Sequence, residues 1–122
     1  MSKVVSSIAL CALVAACGAA WAQDQAVSPD EIRSTWVGKK IFARSGSGAL
    51  LDFSMMADGS ASVSAGNTND TGVWHLTPTG YCAKWQKLRG GQEACFTVVR
   101  RGSDVLVLNP DGSLSAQILR VQ

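Results

Sequence analysis

The chain has 122 residues, of which eleven are Lys or Arg and nine are Asp or Glu, so its formal net charge is +2. A charge balance this even gives no electrostatic reason to expect nucleic-acid binding. The length suits one domain with a modest hydrophobic core, which we expect to be a monomer.

The first 22 residues have the layout of a secretory signal peptide. Lys3 gives a basic start, an uncharged apolar run covers residues 4–17, and residues 20–22 read Ala-Trp-Ala, a typical cleavage site. The apolar run is shorter than the roughly 20 residues that a membrane-spanning helix needs, and no later stretch could span a membrane. We therefore predict a periplasmic or secreted protein, cleaved after Ala22.

Lipidation is a second interpretation of the same segment. Residues 14–17, Val-Ala-Ala-Cys, resemble a bacterial lipobox, in which the cysteine becomes the lipid-modified first residue of the mature protein. The protein would then be anchored to a membrane through Cys17. Either route leaves the later cysteines in an oxidising compartment, where disulfides persist.

Residues 23–34 are predicted to form a mobile lead followed by a short helix. Ser28 is a typical N-cap, Pro29 suits the first helical position, and Glu31 stands where a capping box places its acid. We expect only one or two turns, which plug one end of a sheet, because residues 35–37 favour an extended backbone.

From residue 35 to residue 122 the pattern is that of short strands separated by turns. Leu51, Phe53 and Met55 alternate with polar neighbours, as in a half-buried strand. The predicted strands are residues 36–44, 49–56, 61–65, 72–76, 81–86, 92–99, 105–108 and 114–121. About eight short strands without intervening helices favour an all-β fold, a small antiparallel meander barrel.

The central element of this barrel is a predicted hairpin with a disulfide. Placing Cys82 opposite Cys95 puts the two Cα atoms within bridging distance. The same register pairs Tyr81 with Phe96, Ala83 with Ala94, and Lys84 with Glu93. The hairpin thus gains an apolar face and a cross-strand charge pair. Two glycines at residues 90–91 leave open a bulge that shifts the register by one.

The rival interpretation of these cysteines is a zinc site. Structural zinc needs four Cys or His ligands, and His75 is the only histidine of the chain. We therefore predict a disulfide between Cys82 and Cys95 and no bound metal.

Residues with catalytic potential are few. His75 is predicted to face outward, and the chain has neither a Gly-x-Ser-x-Gly motif nor a phosphate-binding loop. The aspartates fall mostly at turns or on strand exteriors. We predict that the protein is not an enzyme and needs no cofactor.

Two groups of residues could bind a partner. The first is aromatic. It could line the mouth of the barrel, although the interpretation we favour is that it simply fills the core: Trp36, Trp74, Tyr81 and Trp85. The second is basic and would form either a patch for an acidic partner, glycan or anionic surface, or merely a solvated loop: Lys87, Arg89 and Arg101.

Four motifs carry a resemblance to known proteins: Trp-x-Gly at residues 36–38, Gly-x-Trp at 72–74, Cys-x-x-Trp at 82–85, and the second cysteine, Cys95. With them the chain resembles small exported bacterial domains of unknown function. The barrel also looks like the calycin type, which includes lipocalins, avidins and a periplasmic metalloprotease inhibitor. That inhibitor's cysteine spacing and inhibitory N-terminal arm are not matched here.

We therefore expect a non-catalytic exported binding module whose partner is a small ligand, a glycan or an envelope protein. The alternative is an envelope interaction protein or a protease-inhibitor-like barrel, anchored through Cys17 if that residue is lipidated.

Overall fold

Strands and tight turns account for most of residues 23–122, the part of the chain that the computed structural model describes. The predicted signal segment, with Ala22 and Cys17, lies outside these residues. Within them, no helix has the length and apolar character that a membrane crossing requires.

Eight of the strands close into a barrel. The elements in chain order are β1 (Gln25–Ala26), α1 (Pro29–Thr35), β2 (Lys40–Ser45), β3 (Leu50–Met55), β4 (Ser60–Ala65), β5 (Thr68–Thr77), β6 (Gly80–Trp85), β7 (Glu93–Arg101), β8 (Asp104–Leu108) and β9 (Leu114–Val121). From β2 onward each strand pairs antiparallel with the next, and β9 pairs back with β2. The predicted all-β meander barrel of eight strands, with one short helix and one disulfide, is confirmed.

The helix α1 covers one end of the barrel. The Ser28 hydroxyl oxygen accepts a hydrogen bond from the Glu31 N–H at 3.1 Å, as expected of an N-cap. Ile32 is fully buried, and the ring of Trp36 meets that of Phe53 edge-on, with centroids 6.2 Å apart. The Glu31 carboxylate accepts a hydrogen bond from Arg100 on β7, so this ion pair also ties the helix to the barrel.

Two predictions about the residues around the helix are wrong. Trp36 is not in a strand: its N–H bonds to the Ile32 carbonyl oxygen, so the helix carries the chain inward and β2 begins only at Lys40. The segment before the helix is not simply a mobile lead. It contains β1, which pairs with β7 where β7 extends beyond the start of β6.

The hairpin of β6 and β7 has the predicted register. Cys82 lies opposite Cys95 and is bonded to it. Tyr81 faces Phe96, and their ring centroids are 5.2 Å apart. Lys84 lies opposite Glu93.

The interior of the barrel is the hydrophobic core, and close strand contacts there require glycine at particular positions. A Cβ atom on Gly72 would lie 2.1 Å from the Lys84 carbonyl oxygen. The close approach of β5 to β6 at this point therefore needs a residue without a side chain.

Candidate ligand cavity at the open end of the barrel

The two ends of the barrel differ. In a meander the connections alternate between the ends, so the loops that follow β2, β4, β6 and β8 lie together, away from α1. The largest of these loops joins β6 to β7 through a 3-10 turn, Leu88–Gly91. We call this the open end, because within residues 23–122 only loops cover it.

An apolar cavity of about 220 Å³ opens there. Its walls are inward-facing side chains of six or more strands, including Phe53, Val63, Tyr81, Phe96 and Val107. An eight-stranded barrel is just wide enough for side chains to fill it or for one small ligand to enter.

Small residues in the wall leave this space unfilled. Ala61, Ala83 and Ala116 line the cavity from three different strands, and each is at most 7% exposed. Larger side chains at these positions would occupy the volume. The cavity therefore follows from the choice of residues inside the barrel as well as from the barrel geometry.

Arg89 stands at the mouth of the cavity. Its backbone has φ 55° and ψ 30°, the left-handed conformation that costs a non-glycine residue about 1–2 kcal/mol. The guanidinium carbon lies 5.3 Å from the centroid of the Phe96 ring, which is itself part of the cavity wall. The side chain stays exposed, and within residues 23–122 it forms no ion pair with an acid. Strained residues of this kind are common at functional sites.

Asp70 fixes the loop that carries Arg89. One carboxylate oxygen accepts hydrogen bonds from the N–H groups of Lys87 and Leu88, both at 2.9 Å, and the other accepts from the Thr71 N–H at 2.8 Å. The bond from Leu88, helped by those from Lys87 and Thr71, lowers the pKa of Asp70 below its usual value, against the opposing effect of burial. Asp70 is thus an ionised anchor beneath the loop.

Tyr81 adds a polar group to the apolar wall. Burial raises the pKa of its hydroxyl well above the ordinary value, and the positive charge of Arg89 opposes this only in part. The hydroxyl therefore stays neutral and can donate a hydrogen bond. Tyr81 and Arg89 both line the cavity, so their polar groups face the same space.

The structure brings together only some of the predicted aromatic residues. Tyr81 and Trp85 line the cavity. Trp36 instead packs in the core beneath it, against Phe53 and Tyr81. Trp74 is half-buried outside the cavity lining and donates its indole N–H to the Met56 carbonyl oxygen at 2.8 Å.

The predicted basic residues do not form one patch. Lys87, two residues before Arg89 in the same loop, borders a polar groove on the outside of the barrel. Arg101 is the last residue of β7, whereas the loop that carries Lys87 and Arg89 leads into the first residue, Glu93. Eight residues separate the two ends of this strand, which at roughly 3.4 Å per residue is about 27 Å. The guanidinium of Arg101 donates two hydrogen bonds, at 2.7 and 2.8 Å, to Asp24.

The outer surface carries wider but shallower depressions. One of about 730 Å³ is lined mainly by outward-facing residues of β4, β5 and β6, among them Ser62, Val73 and Lys84. It is open to solvent along its length and would bury little of a small molecule. The interior cavity is the better candidate site, because it is enclosed by the barrel wall and has a charged group at its mouth.

Of the predicted contact residues, Tyr81, Trp85 and Arg89 line the cavity, whereas nothing in the sequence indicated the role of Asp70. Its partners Lys87 and Leu88 lie 17 and 18 residues further along the chain, so no local pattern marks the contact. Comparisons with protein-family models, with curated proteins and with solved structures found no match.

Proposed function

We propose that the protein is a non-catalytic exported binding module that holds one small amphiphilic ligand in the barrel cavity. The observation that carries the proposal is an apolar cavity of about 220 Å³ with the guanidinium of Arg89 at its mouth, where no acid among residues 23–122 pairs with it. The apolar walls would bury a hydrocarbon or aromatic group, while Arg89 would bind an anionic head.

The cavity volume limits the size of the ligand. A protein cavity of about 150 Å³ holds benzene, which has six heavy atoms. In proportion, about 220 Å³ accommodates roughly nine heavy atoms, and a charged head can project beyond them into the mouth. Phenylacetate and octanoate both have this size and shape.

Charge favours a carboxylate as the head group. A guanidinium offers a planar pair of N–H donors that matches a carboxylate, and Arg89 has no acidic partner within the described residues that would compete. Phe96 beneath the guanidinium holds its plane near the cavity mouth. The neutral Tyr81 hydroxyl supplies a further donor deeper in the barrel.

We include in this proposal that the protein is exported and that its barrel is related to the calycin type. Export is supported by the signal-like N-terminus, and the bond between Cys82 and Cys95 suits an oxidising compartment. Calycin-like kinship is supported by the closed antiparallel meander of eight strands. Anchoring through Cys17 would place the same cavity at a membrane surface.

Titration calorimetry with octanoate tests the proposal. A ligand of about ten heavy atoms that gains roughly 0.4–0.7 kcal/mol per atom binds with a Kd between about 10 µM and 1 mM. Arg89→Gln should weaken binding about tenfold, since a hydrogen-bonded charge contributes on the order of 1.5 kcal/mol.

The matched control is Lys39→Gln, which removes an exposed positive charge at the opposite end of the barrel. It should leave octanoate affinity unchanged. Absence of binding for both octanoate and phenylacetate at about 10 mM, roughly tenfold above the weakest expected Kd, would overturn the proposed function.

A further inference from the structure

Four residues with metal-binding side chains meet on the outer surface of the barrel, away from the cavity. His75 on β5 lies directly opposite Cys82 on β6, which lies directly opposite Cys95 on β7. Glu93 stands two residues before Cys95 and therefore on the same face of β7. Three neighbouring strands thus present one nitrogen, two sulfurs and a carboxylate side by side.

The side chains of this cluster converge. One Glu93 carboxylate oxygen lies 4.0 Å from His75 Nδ1, and the other lies 3.9 Å from Cys95 Sγ. Single ligand atoms of His75, Cys82 and Glu93 all lie within 4.8 Å of one another. Although Lys84 is directly opposite Glu93, the carboxylate reaches across the disulfide towards His75.

The disulfide masks this cluster as long as it is intact. A metal binds cysteine as the thiolate, and both sulfurs are held in the bond between Cys82 and Cys95. The oxidised protein then offers only His75 and Glu93, whose side chains are 59% and 52% exposed. Two exposed ligands on flexible side chains do not make a strong metal site.

We propose that reduction of the disulfide turns this face into a four-ligand site for Zn²⁺, with Cys82, Cys95, His75 and Glu93 as the ligands. Zinc accepts sulfur, nitrogen and oxygen donors in a tetrahedron at about 2.0–2.3 Å. That geometry places neighbouring ligand atoms about 3.4–3.8 Å apart. The separations of up to 4.8 Å among His75, Cys82 and Glu93, and of 3.9 Å between Glu93 and Cys95, require shifts of only about 1 Å. The two sulfurs, held at a bond length of about 2.0 Å in the disulfide, must move apart by about 1.8 Å once that bond is broken.

The charges of the site also suit a divalent cation. Two thiolates and one carboxylate carry three negative charges, so the site with bound Zn²⁺ would have a net charge of −1. The ammonium group of Lys84, on the same face opposite Glu93, lies where it can offset that remaining charge.

The redox step requires a dithiol reductant and balances as follows. A thiolate of the reductant attacks the sulfur of Cys95, the more exposed of the two cysteines, and the sulfur of Cys82 leaves as a thiolate. The reductant's second thiol then displaces Cys95 and closes its own disulfide. The reductant loses two electrons and two protons, and the two cysteines gain them. Zinc binding afterwards releases both protons.

Cobalt provides the test, because Co²⁺ in a tetrahedral thiolate site absorbs visible light and bound thiolates add a charge-transfer band near the ultraviolet. The purified protein is reduced with a dithiol, freed of reductant without oxygen and titrated with CoCl₂. We expect one Co²⁺ per chain with both bands, loss of the bands when ZnCl₂ displaces Co²⁺, and neither band in the oxidised protein.

Variants distinguish the four-ligand site from a bare pair of thiols. His75→Gln and Glu93→Gln should each weaken Co²⁺ binding at least about tenfold, since even supporting residues around a metal contribute about that much. The control Thr71→Ala alters an exposed residue of β5 away from the cluster and should bind as the unmodified protein does.

The inference is overturned if the reduced protein shows no cobalt bands, if His75→Gln and Glu93→Gln bind Co²⁺ as tightly as the unmodified protein, or if the oxidised protein binds Co²⁺ as well as the reduced protein does. Far-UV circular dichroism is recorded in parallel. A reduced protein that unfolds and is not refolded by added Co²⁺ also contradicts the proposal, because metal binding and folding are coupled.

Discussion

Removing the disulfide should lower the stability of the barrel by an amount that follows from the loop it closes. Cys82 and Cys95 are 13 residues apart, and cross-linking a loop of that size restricts the unfolded chain by about 3 kcal/mol. For a domain of about 100 residues the unfolding entropy is about 0.21 kcal/mol per degree. We therefore expect the melting temperature of the double variant Cys82→Ala, Cys95→Ser to fall by about 14 °C.

Thermal unfolding followed by circular dichroism measures this change, with EDTA present so that no metal stabilises the reduced protein. Reduction should lower the melting temperature of the unmodified protein by a similar amount and should leave the double variant unaffected. A decrease of less than about 5 °C, which corresponds to roughly 1 kcal/mol, would refute the reasoning. The closed ladder of strands would then hold the hairpin without help from the bridge.

Three further predictions concern the helix, the loop anchor and the strand contact. Ile32→Ala, which opens a cavity under α1, should lower the free energy of unfolding in urea by about 2–5 kcal/mol, whereas the control Ser34→Ala, at an exposed position, should lower it little. Equal effects of the two substitutions would contradict the packing of α1 against the end of the barrel. Asp70 has a lowered folded pKa, so its contribution is complete above about pH 3.9 and is lost as the pH falls through the folded value. Asp70→Asn should therefore lower the melting temperature near pH 7 and make the melting temperature fall less steeply below pH 4. A pH profile identical to that of the unmodified protein would contradict the role of Asp70 in holding the loop. Gly72→Ala should cost about 1–3 kcal/mol, because its Cβ would meet the Lys84 carbonyl oxygen, and an unchanged urea midpoint would contradict that contact.

The hairpin and the helix start could be predicted because their signals are local. Alternation along β6 and β7, together with Cys82 and Cys95, allows one satisfactory register, and the two glycines that could have shifted it lie in the turn. Ser28 and Pro29 mark the helix start by capping chemistry that involves only neighbouring residues.

The errors come from contacts between distant parts of the chain. Gln25 and Ala26 can pair with β7 only because β7 extends past the start of β6. The sequences of β6 and β7 do not by themselves indicate that β7 is the longer strand. Trp36 has a high strand propensity, but its place in the core at the end of α1 outweighs that preference.

The candidate site was predictable only in part for the same reason. The two glycines after Arg89 indicate an unusual backbone conformation there. The hydrogen bonds that Asp70 accepts from Lys87 and Leu88, however, correspond to no pattern in the neighbouring sequence. The cavity depends on how eight strands close and on three wall alanines that meet only in the folded barrel. Spacing along the chain does not encode that volume.

The central claim is that the interior cavity binds a ligand, and filling it tests that claim most directly. Ala116→Leu adds three carbon atoms to the wall, and Ala83→Leu does the same from another strand. The exposed Ala49→Leu is the matched control. Octanoate binding by titration calorimetry and the melting temperature are measured for all three variants and for the unmodified protein.

The account predicts one octanoate per chain for the unmodified protein and for Ala49→Leu. At least one filled variant should keep or raise its melting temperature, as cavity filling commonly does, and lose at least about tenfold in affinity. Undiminished octanoate binding by folded Ala116→Leu and Ala83→Leu proteins, or no binding by the unmodified protein, would contradict the account.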